Sequence, residues 1–181
     1  MESYVTAAAL CAAMEVGLFW LLKEKPLDTA AVSKKLEIPE NRCRHWLEIL
    51  RNIGLLSDSS AGYTPSDTAQ KLVIDKYSQD VWAYYGKFHC EYLPAIIDIT
   101  KQMKNPKSTW KAQVIKPPDY IDQMIQSPER AAHFTRMLYE IHLEMADELA
   151  RVLDIGDEHR LMDSGGGSGV MAFALLKKNL S

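Results

Sequence analysis

The chain has 181 residues, 47% of them hydrophobic, 9% aromatic and 25% charged, which excludes a disordered, collagen-like or coiled-coil protein and allows a real core. A formal charge of −3, from 21 basic and 24 acidic side chains, leaves no electrostatic excess for nucleic acid or an anionic membrane, so neither is expected as a partner. Cys11, Cys43 and Cys90 are odd in number and widely spaced, which fits neither a disulfide framework nor a zinc ribbon and points to a reducing, cytoplasmic setting.

Residues 2–24 carry Ala7, Leu10, Cys11, Met14, Leu18, Leu21 and Leu22 at helical spacing, with only Gly17 to break the run. Glu2 ahead of the apolar stretch and Glu15 inside it disfavour a signal peptide or a membrane span and favour a buried helix. A stripe this wide needs a partner surface. The pattern leaves two choices open, a second subunit or the helix's own core.

Asp28 or Thr29 can cap a short helix through Leu36, Pro39 can start a second, and Gly54 can stop it in the left-handed conformation. Leu55 to Ser57, the turn-rich run Asp58 to Gly62, and Tyr63 to Pro65 then predict a β-hairpin. The segment reads as a winged helix-turn-helix. A longer helix is expected over 78–104, with Trp82, Tyr85, Phe88, Tyr92, Ile96 and Ile99 on one face and a bend at Pro94. Residues 105–118 hold three of the eight prolines and no apolar period, so they read as a loop.

Ser127-Pro128-Glu129 is a helix opening, with a hydroxyl cap, proline in the first turn and an acid at the positive end of the dipole. The helix should run to about Leu153, with Phe134, Leu138, Ile141, Met145, Leu149 and Val152 facing one way. After Gly156, His159 to Asp163 predicts a short buried strand, Ser164 to Gly169 a glycine loop, and Val170 to Lys178 an apolar helix. This is the first strand, turn and helix of an α/β unit. A lone parallel strand with one helix can neither cover its faces nor complete its ladder, so the chain is expected to be a fragment.

Four of the nine glycines stand at 165, 166, 167 and 169, where the backbone must turn sharply into a helix. Without Cβ atoms, Gly165 and Gly167 can take positive φ and let a ligand touch the main chain, while the N–H groups at the helix start supply donors. A nucleotide-like ligand is implied. The dinucleotide spacing fails, because Val170 stands where the last glycine belongs, and no G-K-[ST] follows to make a P-loop.

Leu161 to Gly169, with Asp163 ahead of Gly165-Gly166-Gly167 and Gly169, resembles the first motif of the S-adenosylmethionine-dependent small-molecule O-methyltransferase family. The resemblance extends along the chain. AMEVGLFWLL at 13–22 looks like the family's N-terminal dimerisation helix, LEILRNIGLLSDSSAGYTPSDTA at 47–69 like its winged-helix segment, and SPERAAHFTRML at 127–138 like the lead-in to its cofactor domain. The resemblance implies a mainly α winged-helix dimerisation domain at 1–104, a linker loop with a short helix at 105–126, and at 127–181 the start of a Rossmann-like α/β methyltransferase domain. It implies a homodimer joined through the N-terminal helices, S-adenosylmethionine as cofactor, and methyl transfer to a hydroxyl of a small, aromatic acceptor. Asp163, Gly165, Gly166 and Gly167 would line the cofactor, Leu138 and His142 would also contact it, and Phe134 would face the substrate. The i, i+4, i+8 spacing of Phe134, Leu138 and His142 keeps them on one helix face. The family's ribose-binding acid and general base lie beyond the glycine motif, so no catalytic residue is transferred and these residues alone are expected to show no turnover.

Blander uses compete with these. His142 can be a half-buried structural histidine, and Trp82, Tyr84, Tyr85, Phe88 and Tyr92 are more simply core residues than a substrate wall. Adjacent His89 and Cys90 diverge on a helix, so no metal site is expected. Arg42, Arg44, His45 and Arg51 could face a DNA major groove, as in a winged-helix transcription regulator. Residues 1–75, however, hold eight Lys and Arg against ten Asp and Glu, which lacks the basic excess of a phosphate-neutralising module.

Overall fold

Gly17 decides how the first apolar stripe is used. Its φ of 70° ends α1 (Ser3–Glu15) and starts α2 (Leu18–Glu24), and the two helices are bent by 61°. The single helix expected over 2–24 is therefore two. The bend places Leu18, Phe19 and Leu22 in the chain's own core at 0–1% exposure, with Ala9, Ala13 and Met14 buried beside them. Ala7 is exposed and Leu10, Cys11 and Leu21 are half-buried. Of the two uses open to the stripe, its own core takes the larger apolar side chains. Among the described residues no single helix is long and apolar enough to cross a membrane; α1 and α2 reach that length only as a bent pair.

The structure, a computed structural model, describes residues 3–97, 99–104, 106, 127–156 and 160–179. Apart from Pro106, the predicted linker and short helix at 105–126 lie outside these, as does His159 at the start of the predicted strand. The chain divides into two compact units, Met1–Ile115 and Lys116–Ser181.

In the first unit the Asp28 carboxylate accepts the Ala31 N–H at 2.7 Å and caps α3 (Thr29–Leu36). Pro39 leads into α4 (Glu40–Asn52), which ends at Gly54 with φ 78° and an N–H bond from Leu55 to the Leu50 carbonyl. β1 (Leu56–Ser59) and β2 (Gly62–Pro65) pair antiparallel, from Leu56 opposite Pro65 to Ser59 opposite Gly62. The strands thus run into the stretch read as turn, which leaves only Ser60 and Ala61 at the tip. Leu27 adds a single bridge to Tyr63, bonded in both directions. Ser66 accepts the Ala69 N–H and donates to the Gly54 carbonyl at 2.7 Å, starting α5 (Asp67–Ala69), which passes into a π-helical turn at Gln70–Ile74.

The core of this unit gathers Phe19, Leu18, Leu22, Val32, Leu47, Leu50 and Leu56 around the wholly buried Cys43. Burial, and then the nearby Glu40 carboxylate, pushes the Cys43 thiol up. α6 (Gln79–Ile97) packs along α1, and α7 (Ile99–Met103) follows it. The described residues of the helix expected over 78–104 are helical over Gln79–Ile97 and Ile99–Met103, with Pro94 inside α6. Its predicted face does not continue through Ile99, which is 56% exposed. Trp82 donates its indole N–H to the Val73 carbonyl at 2.7 Å, a core role, and its ring meets Tyr77 and Tyr85 at centroid distances of 5.4 and 6.0 Å.

The second unit contains α8 (Pro128–Val152) and α9 (Val170–Asn179) packed along each other. The predicted opening at Ser127 holds, with its carbonyl accepting the Ala131 N–H at 3.0 Å. The predicted apolar face of α8 is only partly the buried one. Met137, Ala146 and Ala150 are buried, whereas Met145 is 52% and Val152 68% exposed. Among the described residues of the strand predicted at 159–163, none forms a strand. Residues 160–163 are exposed, Met162 by 87%, because a strand needs a neighbour to complete its ladder. Among the described residues the β1–β2 pair is the only sheet, and the architecture is mainly helical.

The α1–α6 contact is closest at Gly86, where a Cβ would collide with the Cys11 carbonyl oxygen. Gly86→Ala should therefore destabilise the protein by about 1–3 kcal/mol despite alanine's better helix propensity. Urea unfolding measures this; an unchanged or raised midpoint would show that the two helices are not pressed together there.

Candidate functional site

Glycine at 165, 167 and 169 meets a backbone requirement: all three have positive φ, at 75°, 55° and 72°. Gly169 donates its N–H to the Gly166 carbonyl at 2.8 Å, closing a tight turn, and its own carbonyl accepts the first helical bond of α9, from Phe173, at 2.9 Å. The N–H groups of Val170, Met171 and Ala172 then stand at the helix start without intrahelical acceptors. Gly166 is required for a different reason. A Cβ there would collide with the Asp163 carboxylate, which folds over the turn.

These elements enclose a cleft of about 350 Å³, lined by Asp163, Gly166, Gly167 and Gly169 on the loop and by Ala172, Phe173 and Leu176 on α9. Its volume falls within the range of small-molecule sites. One side is polar, with a carboxylate and main-chain donors; the other is an apolar wall in which Phe173 is 68% exposed.

Of the residues singled out in the sequence, the cleft brings together Asp163, Gly166 and Gly167. Gly165 is not part of its lining, and a Cβ on Gly165 would meet nothing within 4 Å. Leu138 stands one layer behind, its Cδ1 at 3.3 Å from where a Gly167 Cβ would be. Phe134, Leu138 and His142 are all half-buried on one face of α8, as their spacing requires. His142 Nδ1 lies 2.8 Å from the Leu138 carbonyl, and because a carbonyl can only accept, the ring proton sits on Nδ1 and Nε2 is left as an acceptor in the neutral ring. Sequence reasoning missed Ala172, Phe173 and Leu176; their i, i+1, i+4 positions past the helix start were the available signal.

On the alternative basic face of α4, Arg44, His45 and Arg51 each stand beside a carboxylate, from α4 itself or from β1. Arg51 Nη1 meets Asp58 Oδ2 at 2.9 Å, Arg44 meets Glu40 at 3.5 Å, and His45 lies 3.5 Å from Glu48. The Asp58 carboxylate pushes the Arg51 guanidinium above its ordinary value. On its inner side α4 is pinned to α1, where the Trp46 indole N–H donates to the Ala9 carbonyl at 2.9 Å. Among the described residues no cluster of three metal-ligating side chains occurs.

No protein-family model matches the chain. Among curated proteins it is 25% identical over 170 residues to the N,N-dimethyltransferase OxyT of Streptomyces rimosus, covering 94% of this chain and 49% of that one. It is 25% identical over 172 residues to 3-hydroxy-5-methyl-1-naphthoate 3-O-methyltransferase of Streptomyces sahachiroi, covering 94% and 48%. Among solved structures it superposes on mitomycin 7-O-methyltransferase MmcR with a TM-score of 0.72 at 20% identity, over 98% of this chain and 52% of that one. Against PigF with S-adenosylhomocysteine the TM-score is 0.74 at 19% identity, over 98% and 53%. The chain spans about half the length of the relatives it matches.

Proposed function

We propose that the chain is part of an S-adenosylmethionine-dependent small-molecule O-methyltransferase, and that the whole protein transfers a methyl group from S-adenosylmethionine to a hydroxyl of a small aromatic molecule. In this reading residues 1–104 form the winged-helix dimerisation domain and residues 127–181 open the Rossmann-like cofactor domain, in a cytoplasmic homodimer. The observation that carries the cofactor assignment is the cleft at the start of α9, where Asp163, the main-chain donors and an apolar wall meet and a Cβ on Gly166 has no room.

S-adenosylmethionine supplies an electrophilic methyl group on a sulfonium; the chain's own residues bind and orient it. The Asp163 carboxylate suits an ammonium or hydroxyl donor, and the N–H groups of Val170 to Ala172 suit a carboxylate. Phe173 and Leu176 offer apolar surface to an adenine or an acceptor ring. His142, its tautomer set by Leu138, presents Nε2 as an acceptor, and Phe134 on the same helix face is the candidate substrate contact. Among the described residues Asp163 is the only ionisable one lining the cleft, and it is used in binding, so the acceptor's proton is assigned to a base outside these residues. A winged helix that reads DNA is disfavoured by the ion pairs that neutralise Arg44 and Arg51.

Calorimetry of the whole protein with S-adenosylhomocysteine should show saturable binding. Gly166→Val should abolish it, because the side chain would occupy the place of the Asp163 carboxylate. Tight binding of NADH with no response to S-adenosylhomocysteine would overturn the cofactor assignment.

Incubation of the whole protein with labelled methyl donor and a panel of phenols should place the label on oxygen. Label only on nitrogen, carbon or protein would overturn the hydroxyl acceptor.

For the dimer, sedimentation at micromolar protein should give twice the chain mass. Because Leu18 is fully buried, Leu18→Glu tests folding rather than pairing; the residues in and just after α1 that offer apolar surface outward include Tyr4, Val5 and Val16, 54%, 38% and 41% exposed. Tyr4→Glu with Val16→Glu should weaken the dimer while circular dichroism stays unchanged, and a monomeric parent protein would refute pairing.

A further inference from the structure

α1 and α6 run antiparallel: Cys11 and Met14 lie against Gly86, and Gly17 lies against Gln79. Cα–Cβ bonds lean towards the N-terminus of their own helix. In an antiparallel pair, Cys11 therefore leans towards the earlier turns of α1, and Cys90, one turn past Gly86, leans back towards the level of Gly86. The two side chains converge across the contact, and each thiol is half-buried. Burial, and after it the adjacent Cys90, pushes the Cys11 thiol up. A disulfide needs Cα atoms about 4.4–6.8 Å apart, and the absence of a side chain at Gly86 lets the two helices approach closely beside this pair.

We propose that Cys11 and Cys90 form a redox-responsive thiol pair, which hydrogen peroxide converts to a disulfide joining α1 to α6 within one chain. Cys11, held as a thiol, is a poor first nucleophile, so Cys90 meets the oxidant. Its sulfur attacks one peroxide oxygen, the O–O bond breaks, and the departing hydroxide takes up the thiol proton as water. Cys11 sulfur then attacks the Cys90 sulfenic acid; the S–S bond forms, the S–O bond breaks, and the oxygen leaves as a second water with the Cys11 proton. Two thiols lose two electrons and two protons, and one peroxide becomes two waters. Cys43, wholly buried, lies outside the reaction. The bond would close a long loop and lock the helix pair on which the bend at Gly17 rests. The proposal stands independently of the methyl-transfer reading.

The test treats the whole protein with hydrogen peroxide, alkylates remaining thiols with iodoacetamide, and maps the digest by mass. The expected product is the Cys11 peptide joined to the Cys90 peptide, two hydrogens lighter than their sum, in protein that still runs as a monomer on a non-reducing gel. Dithiothreitol should reverse it, and the oxidised protein should melt at a higher temperature than the reduced one. In Cys11→Ser, Cys90 should stop at the sulfenic acid and be captured by dimedone. A cross-link between chains, a cross-link through Cys43, or sulfinic acids at both positions without a cross-link would each overturn the proposal.

Discussion

The first unit depends on a left-handed turn at one residue. Had α1 continued straight through position 17, Leu18, Phe19 and Leu22 would have pointed away from Val32, Leu47 and Leu50. Burying three such side chains is worth about 1.5–3 kcal/mol each, which outweighs the roughly 1 kcal/mol cost of a glycine interrupting a helix. The same turn constrains α6. The Gln79 side chain, at the start of that helix, lies over Gly17, so a side chain at position 17 would have to push the Gln79 amide aside.

The helix-turn-helix and its hairpin are held to α1 by a bond that hides their most distinctive surface. Trp46 reaches from α4 to the Ala9 carbonyl, and the Cys43, Leu47 and Leu50 face of α4 is spent on the core. What α4 leaves outside is a charged face, with Glu40 beside Arg44 on the helix and Arg51 paired to Asp58 of β1. Such a face is well solvated but offers little net attraction to phosphates. The inner side of this geometry is packed against α1, and its outer side carries paired charges.

Local signals were legible and non-local ones were not. Asp28 as a cap, Gly54 as a stop, Ser127-Pro128 as an opening and the hairpin all depend on a few neighbouring residues, and each appears where its chemistry indicates. The bend at Gly17 could be seen only as a weak point, because its direction is set by Leu47 and Gln79, far away in the chain. The strand read at 159–163 had the right composition but needs a neighbour that hydrophobic spacing cannot supply. The Cys11–Cys90 contact was invisible for the same reason, since only the antiparallel register of α1 and α6 brings these residues together. In the cleft, Asp163, Gly166 and Gly167 were legible because backbone turning demands glycine, whereas Phe173 and Leu176 looked like ordinary core residues.

In the proposed reading, the position of Asp163 gives the cleft its discrimination. A helix start with unsatisfied N–H groups attracts any anion, a pyrophosphate included. Folding a carboxylate over the same turn, with Gly166 leaving just enough room, sets a negative charge at the mouth of that site. A ligand with two or more negative charges then meets repulsion where it would otherwise gain most, whereas one carrying a cation and a carboxylate can satisfy both groups at once. The apolar side, formed by Ala172, Phe173 and Leu176, adds a preference for a flat or aliphatic body. Charge selection and shape selection thus arise from one short stretch, Asp163 to Leu176, where a glycine turn joins a helix.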